Sequence, residues 1–337
     1  MAQVSVIIVN WNGRGFLADC LESLTQSVDA GLCDVVVVDN GSTDGSIEML
    51  RRDYTRVKLI ETGTNLGFTK ANNIGLARVT TDYALLLNSD TVVTTDALVA
   101  MLNAIKSIPD LYACGCEQIT KTGEPWRPFG RFPTLKSEFI TMTGAFNWPP
   151  VKWLINVRKD RKLRSATNVD KSGSIAVTAD AGSPVDVAFV DYVSASCMMI
   201  DREKIVELGG LDENYFFHSE DVDLCLRIKR AGGKVGYIPS VSIRHYLGGS
   251  QGKHYRTLLR QWMLTRSYLF RRHYGRLMQF LLLCTYGFAG SLSVIKWVFV
   301  YLCAPRRRDE ASGWIKFWVD FVSKSEAERE LKQMGSL

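Results

Sequence analysis

VSVIIVN (Val4–Asn10) is β-branched, almost wholly apolar, and ends on a polar side chain. A run of this kind suits a central parallel strand covered on both faces. Working outward, Phe16, Leu17, Cys20, Leu21 and Leu24 follow at three- and four-residue spacing, which predicts a helix. DVVVVD (34–39) reads as a second buried strand, NGSTDGS (40–46) as a polar turn and residues 47–52 as a helix. KLIET (58–62) predicts a third strand, residues 71–77 a helix, and YALLL (83–87) a fourth strand running into NSDT (88–91). Strand–helix alternation with short connections predicts an α/β fold with a doubly wound, mostly parallel sheet. Such sheets bind ligands beyond the carboxyl ends of their strands. The polar clusters 10–13, 39–45, 62–68 and 88–90 all fall at such ends.

Residues 117–186 are irregular and rich in Trp, Pro and Gly (PWRPFGRFPT, FNWPPVKW). They include a polar loop, 165–183, without a clear period, which predicts an insertion near the site. A strand pattern returns at VAFVDYVSASCMMI (187–200). GGLDENYFFHSEDVDLCLRIKRAGG (209–233) then contains a helix closed by two glycines, followed by the strand KVGYIP and by IRHYLGGS. Beyond residue 255 the pattern is one of long helices.

With 46% hydrophobic and 23% charged residues among 337, the chain can bury a sizeable core, and no repeat or low-complexity tract points elsewhere. A formal charge of +6 fits an anionic ligand or membrane surface, and no nucleic-acid-binding motif accompanies it, so no nucleic acid is expected as a partner. Eight cysteines are scattered without a Cys-x-x-Cys pair, and Cys114 and Cys116 are too close for a zinc knuckle. They are expected to be buried, reduced thiols of a cytoplasmic protein. MAQVSVIIVN lacks a basic n-region and a cleavage site, which also predicts a cytoplasmic catalytic part.

Four constellations could carry chemistry. Asp39 with NGSTDGS could receive a base and ribose on a small-residue loop, or could be a tight turn with Ser42 or Asp44 capping the next helix. Asn88-Ser89-Asp90 could hold Mg2+ or Mn2+ beside a diphosphate, or could cap a helix beginning near Asp96. Glu220, Asp221 and Asp223 open a helix, where acids complement the dipole. Ser219 with Val222-Asp223 also resembles a cap. Three acids exceed what capping requires, and one of them could serve as a general base. His245 could ligate a Mn2+-type ion or be structural. His254 and His273 lie in basic helical surroundings and are assigned no chemistry.

VSVIIVNWN, VVVVDNGSTDGS, NLGFTKANNIGL, LLLNSDT, GGLDENYFFHSEDVDLCLR and RHYLGGS, in this order, resemble the family 2 glycosyltransferases. More narrowly, the chain is similar to the bacterial rhamnosyltransferase-like branch that builds O-antigen, capsule or cell-wall polysaccharide. The resemblance spans roughly residues 3 to 255. It implies a GT-A fold, inversion at the anomeric carbon and a divalent metal, Mg2+ or Mn2+. By resemblance Asp39 would recognise the base, with Val9, Asn10, Asn12 and Asn40 nearby. Asn65, Gly67, Phe68, Asn72, Asn88 and Ser89 would line the donor pocket. Asp90 would be the last acid of the family's DxD metal motif and His245 would complete the site. Glu220-Asp221 matches the catalytic ED pair, with Asp221 the base. Three positions depart from the pattern: Asn88 replaces the first acid of DxD, Ala195 stands where a glycine is expected, and His218 where a tyrosine is common. The implied donor is a nucleotide-diphosphate sugar, dTDP-rhamnose favoured, and the acceptor a lipid-linked glycan or polysaccharide.

Residues 1–255 are thus expected to form the catalytic domain, with 1–116 the nucleotide half and 117–255 the acceptor half. Residues 256–337 would form a helical extension. RTLLRQWMLTRSYLFRRHY (256–274) is basic and aromatic, and 277–303 is very apolar. That region could lie in the interface of an anionic membrane, form a homodimer contact, or span a bilayer. The interfacial alternative would make the protein peripheral on the inner face of the plasma membrane. Two other functions compete: a non-catalytic nucleotide- or glycan-binding subunit, which Asn88 keeps open, and a nucleotidyltransferase, which would carry a Gly-rich basic loop where this chain has NWNGRG.

Overall fold

The protein is described here from a computed structural model covering residues 2–143, 174–178, 184–247 and 255–322. The first half alternates strands and helices: β1 (Val4–Asn10), α1 (Arg14–Asp29), β2 (Cys33–Asp39), α2 (Ser46–Asp53), β3 (Lys58–Glu61), α3 (Phe68–Leu76), β4 (Tyr83–Asn88), β5 (Thr91–Val92) and α4 (Thr95–Ser107). Next come β6 (Leu111–Ile119), β7 (Pro125–Trp126), β8 (Phe129–Gly130), α5 (Leu135–Thr143), β9 (Ser174–Thr178), β10 (Pro184–Phe189), β11 (Tyr192–Val193) and β12 (Cys197–Asp201). The remainder is α6 (Arg202–Glu207), α7 (Glu220–Arg230), β13 (Lys234–His245), α8 (Tyr255–Tyr274), α9 (Arg276–Cys303) and α10 (Arg308–Val322).

The main sheet runs β3-β2-β1-β4-β12-β6-β13-β10-β9. Strands β3, β2, β1 and β4 are parallel to one another, β12 is antiparallel to β4 and β6, and β13 is parallel to β6. This is the expected α/β arrangement, a mixed, mostly parallel sheet with helices on both faces. The apolar strand runs have a direct cause. Val4, Val6 and Ile8 pack with Leu17, Cys20, Leu21 and Leu24 on one face, whereas Ile7 packs with Val36, Val38, Ala71 and Leu76 on the other. Because alternate side chains point to opposite faces, a sheet covered twice needs apolar residues at every position.

Differences from the sequence expectations lie in the middle of the chain. The pattern at 187–200 is divided among the end of β10, the two-residue β11 and β12. Five residues of the 165–183 loop form β9, paired antiparallel with β10; the rest of that loop lies outside the described residues. The six cysteines of the sheet region, Cys20, Cys33, Cys114, Cys116, Cys197 and Cys225, are buried and free, while Cys284 and Cys303 are exposed. Burial pushes the Cys20 and Cys33 thiols up to about 12, which makes them unreactive.

The chain divides into two compact units. One contains the sheet and the helices that cover it. The other groups α5 with α8, α9 and α10 around a core of Met263, Phe270, Leu282, Tyr286 and Trp318.

Candidate active site

The parallel register brings the polar strand ends side by side: Asn10 lies opposite Asp39, and Val9 opposite Asn88. Asn10 is fully buried, and its side-chain NH2 donates to Asp39 Oδ2 at 3.0 Å and to Ser42 Oγ at 3.1 Å. The Ser42 backbone N–H donates to Asp39 Oδ1 at 2.8 Å. Both Asp39 oxygens are therefore engaged in shaping this loop, one of them by tying the side chain to the backbone three residues on. Ser42 Oγ also accepts from the Asn12 N–H, and Asn12 Oδ1 accepts from the Thr43 N–H at 2.7 Å. Asn12 reaches that position with φ at +52°.

These contacts settle the capping alternatives. Ser42 caps no helix, and α2 begins after Gly45 without a side-chain cap. Asp44 instead accepts from the Ser46 and Arg14 backbone N–H groups. Burial pushes its carboxyl up, but the hydrogen bonds from Ser46 and Arg14 outweigh that and hold it below the usual carboxylate range.

Asn40 organises the next loop. Its NH2 donates to Asn65 Oδ1 at 2.9 Å and to the Gly67 carbonyl at 3.1 Å, and its Oδ1 accepts from the Leu66 N–H at 2.9 Å. Gly67 sits at φ +87°, and a Cβ there would come within 2.7 Å of the Phe216 carbonyl oxygen. Only glycine fits both demands. The Phe68 N–H then donates to the Phe216 carbonyl at 2.7 Å, and the Thr69 hydroxyl to the Tyr215 carbonyl. Asn73 completes the seam: its NH2 donates to the Leu211 carbonyl and its Oδ1 accepts the Leu211 N–H. Asn72 turns inward and donates to the Phe68 carbonyl. The NLGF segment thus holds the strand-end loops and the DENYFF segment together, a junction of residues about 140 positions apart that no local pattern reveals.

Asp90 and His245 meet. Asp90 Oδ1 lies 3.2 Å from His245 Nε2, with the two side chains 14% and 6% exposed. The Tyr246 N–H donates to the Asp90 carbonyl at 2.9 Å, and β5 pairs with the end of β13. Neither Asn88 nor Asp90 caps α4; Thr94 does so, accepting the Ala97 N–H at 3.2 Å. Ser89 Oγ lies 3.4 Å from where a Gly13 Cβ would stand, so the loops after β1 and β4 touch. Among the described residues no group of three or more His, Cys, Asp or Glu side chains gathers as a metal cage. The donor set is one imidazole nitrogen and one carboxylate oxygen. This suits a transition ion such as Mn2+ that takes its other ligands from a diphosphate and water.

The acids of α7 separate by role. Asp223 is fully buried; its Oδ2 pairs with Arg227 Nε at 2.7 Å, and its Oδ1 accepts the Tyr215 hydroxyl at 3.4 Å. It is a structural ion pair. Glu220 is 5% exposed, and Asp221 is half-buried with Oδ1 accepting the Val222 N–H at 2.8 Å. The Ser219 hydroxyl does not cap the helix. His218 and Ser219 instead lie at φ +72° and +70°, two successive left-handed residues without glycine's freedom. Conformations of this cost persist where surrounding contacts enforce them, commonly beside functional groups. The C-terminal double glycine is as expected: the Gly233 N–H donates to the Ile228 carbonyl, and Gly232 sits at φ +83°.

Gln118 escaped the sequence reading. It is fully buried, and its Oε1 lies 2.7 Å from His245 Nδ1 while its NH2 donates to Ser196 Oγ at 2.9 Å. Its signal was a lone amide continuing an apolar strand.

Residues 5–164 of the chain match the family model described as "Glycosyl transferase family 2". The chain is similar in sequence to rhamnosyltransferases. Over 260 residues it is 27% identical to the N-acetylglucosaminyl-diphospho-decaprenol L-rhamnosyltransferase of Mycobacterium tuberculosis, a match covering 74% of this chain and 77% of that protein. It is 26% identical over 252 residues to Rhamnosyltransferase WbbL of Escherichia coli, covering 72% of this chain and 83% of that one. Two solved structures share the fold. The mannosyltransferase PcManGT from Pyrobaculum calidifontis, in complex with GDP-Man and Mn2+, matches with TM-score 0.54 at 15% identity over 98% of this chain and 86% of that one. GalNAc-T7 with UDP, GalNAc and Mn2+ matches with TM-score 0.51 at 14% identity; 80% of this chain spans half of that one. These likenesses support enzymatic glycosyl transfer.

Proposed function

We propose that the protein is an inverting, metal-dependent glycosyltransferase moving a sugar, rhamnose favoured, from a nucleotide diphosphate to a hydroxyl of a lipid-linked or polysaccharide acceptor. The observation that carries this is the meeting of Asp90 and His245 at the strand ends, beside loops shaped by Asn10, Asp39 and Asn40. Asp90 and His245 would hold Mg2+ or Mn2+, whose charge would offset the charge growing on the leaving diphosphate. The loop groups at Val9, Asn10, Asn12, Asp39 and Asn40 receive the base and ribose. Asn65, Gly67, Phe68, Asn72, Asn88 and Ser89 line the way to the sugar. Asp221, beside Glu220, takes the proton from the acceptor hydroxyl as that oxygen attacks the anomeric carbon opposite the diphosphate.

The lipid-linked acceptor is suggested by the decaprenol-linked substrate in the name of the mycobacterial relative. The surface of α9 fits the same idea. By length and composition it is the one helix among the described residues able to cross a membrane. However, Leu282, Tyr286, Ala289, Gly290 and Trp297 are buried against its own unit, so only the opposite face is free. On that face Leu277, Phe280, Phe288, Ile295, Phe299 and Leu302 are exposed along ~40 Å of helix. The helix has no acidic residue, and Arg271, Arg272 and Arg276 lie towards one end with Arg306, Arg307 and Arg308 just past the other. A second copy laid along this face in either direction brings arginines against arginines. An anionic bilayer surface satisfies both the apolar face and its basic ends, so the protein is peripheral on the cytoplasmic leaflet.

A thermal-shift panel of dTDP-, UDP- and GDP-sugars, each with and without Mg2+ or Mn2+, tests the donor site. One nucleotide should raise the midpoint only with metal, and the shift should vanish in Asp90→Ala. No shift with any of them would favour a non-catalytic binding subunit.

A further inference from the structure

We propose that Gln118 is a positioning residue that fixes the tautomer of His245 and thereby aims its Nε2 lone pair at the place where the metal would sit; this rests on the metal assignment above. Gln118 lies on β6 with β13 on one side and the short β7 on the other, and it is fully buried. A buried amide in a strand costs free energy unless all its groups are paired. Here the pairing is directional. The carbonyl oxygen of Gln118 can only accept, so the His245 proton resides on Nδ1, 2.7 Å away. With Nδ1 committed to Gln118, it is Nε2 that faces Asp90 Oδ1, 3.2 Å off, so the two atoms that would hold the metal stand side by side.

The amide is itself held. Its NH2 donates to Ser196 Oγ at 2.9 Å, and Ser196 Oγ bonds Ser194 Oγ at 3.0 Å. The Ser196 carbonyl accepts the Asn88 N–H at 2.9 Å. The edge of Trp126 closes on the imidazole, with ring centroids 5.6 Å apart, and limits its rotation. One chain of polar groups, Ser194, Ser196, Gln118, His245 and Asp90, thus joins the turn before β12 to the loop after β4. An outer partner that orients a ligating histidine contributes about 10–100-fold to metal affinity. A merely structural amide would alter stability and leave the tautomer and the affinity unchanged.

The test begins with the native chain labelled with 15N-histidine. A long-range 1H–15N spectrum should show His245 protonated on Nδ1; protonation on Nε2 alone overturns the proposal. Titration with Mn2+ alone, read by the EPR signal of the free aqua ion, then compares variants. Gln118→Leu should bind about 10–100-fold more weakly, with His245 moved to the Nε2–H tautomer. Gln118→Glu, which keeps an acceptor opposite Nδ1, should restore most of the affinity. Wild-type affinity in Gln118→Leu alongside weakened binding in His245→Ala overturns this inference and spares the metal assignment. Wild-type affinity in His245→Ala overturns both. If Gln118→Leu lacks a cooperative melt, the native tautomer and the affinity of Ser196→Ala decide: an unchanged affinity in Ser196→Ala counts against the chain.

Discussion

In the sheet unit the apolar side chains turn inward and the polar ones gather at the strand ends; in the helical unit α9 does the reverse over one of its faces. Ile7, Ile8, Leu85 and Leu86 are completely buried, while Phe280, Ile295 and Phe299 stand 60%, 68% and 67% exposed. Conversely, the helical unit hides a carboxylate. Glu138 is 4% exposed, lies 3.3 Å from Arg266 Nε, and accepts the Tyr286 hydroxyl at 3.1 Å. A large contiguous apolar surface is rare on a monomeric soluble protein and marks a surface that meets something apolar. On the reading proposed above, the sheet unit would hold the chemistry at its edge and the helical unit would meet a surface.

The sharpest way to break this comparison is to separate chemistry from stability within α7. Asp221→Asn should lower turnover by about 10²–10⁴-fold, while a nucleotide-induced thermal shift stays near the wild-type value. Asp223→Ala, only two positions on, should cost ~3–5 kcal/mol of unfolding free energy in a urea titration, because it strands Arg227 beside a buried site. Equal effects of both changes on turnover would erase the distinction between catalytic and structural acids.

A smaller effect tests the α9 face. Phe280→Glu and Phe299→Glu each remove about 1.5–3 kcal/mol of apolar burial at a membrane. Co-flotation with liposomes containing anionic phosphatidylglycerol should therefore fall at least tenfold for either one, with transfer to a soluble acceptor unchanged. Undiminished flotation would move the contact elsewhere, and a concentration-dependent dimer in wild type but not in the variants would favour a second copy instead.

The smallest effect concerns Glu138. Burial pushes its carboxyl up, and Arg266 with the Tyr286 hydroxyl pulls it partway back, leaving it above its ordinary value of 4.5. The folded protein then holds the proton more tightly than the unfolded chain does, so this group's contribution falls as pH rises through the window above 4.5. The melting temperature of wild type relative to Glu138→Gln should decline across that window. A difference that is flat or rising with pH would place the carboxyl in a more polar setting than its burial implies.

Much of this was legible in the chain itself. VSVIIVN, DVVVVD and YALLL announced twice-covered strands, because only a two-faced core tolerates apolar residues at every position. The polar clusters at their ends announced a site, because a parallel sheet directs those ends to one edge. The resemblance through NLGF, NSD and SED then supplied a chemical class. What those letters could not supply were pairings across the sequence. Whether NSD caps α4 depended on Thr94 taking that duty. Whether three acids on α7 act alike depended on Arg227 and Tyr215 closing around Asp223. The place of Gln118 depended on β6 lying between β12 and β13, 78 residues from Ser196 and 127 from His245. Periodicity and turn chemistry are local, so the sequence by itself determined the long strands, the long helices and the polar edge. Hydrogen bonds between distant residues form only when the sheet order is fixed, so the tertiary structure alone decided which of those polar groups touch.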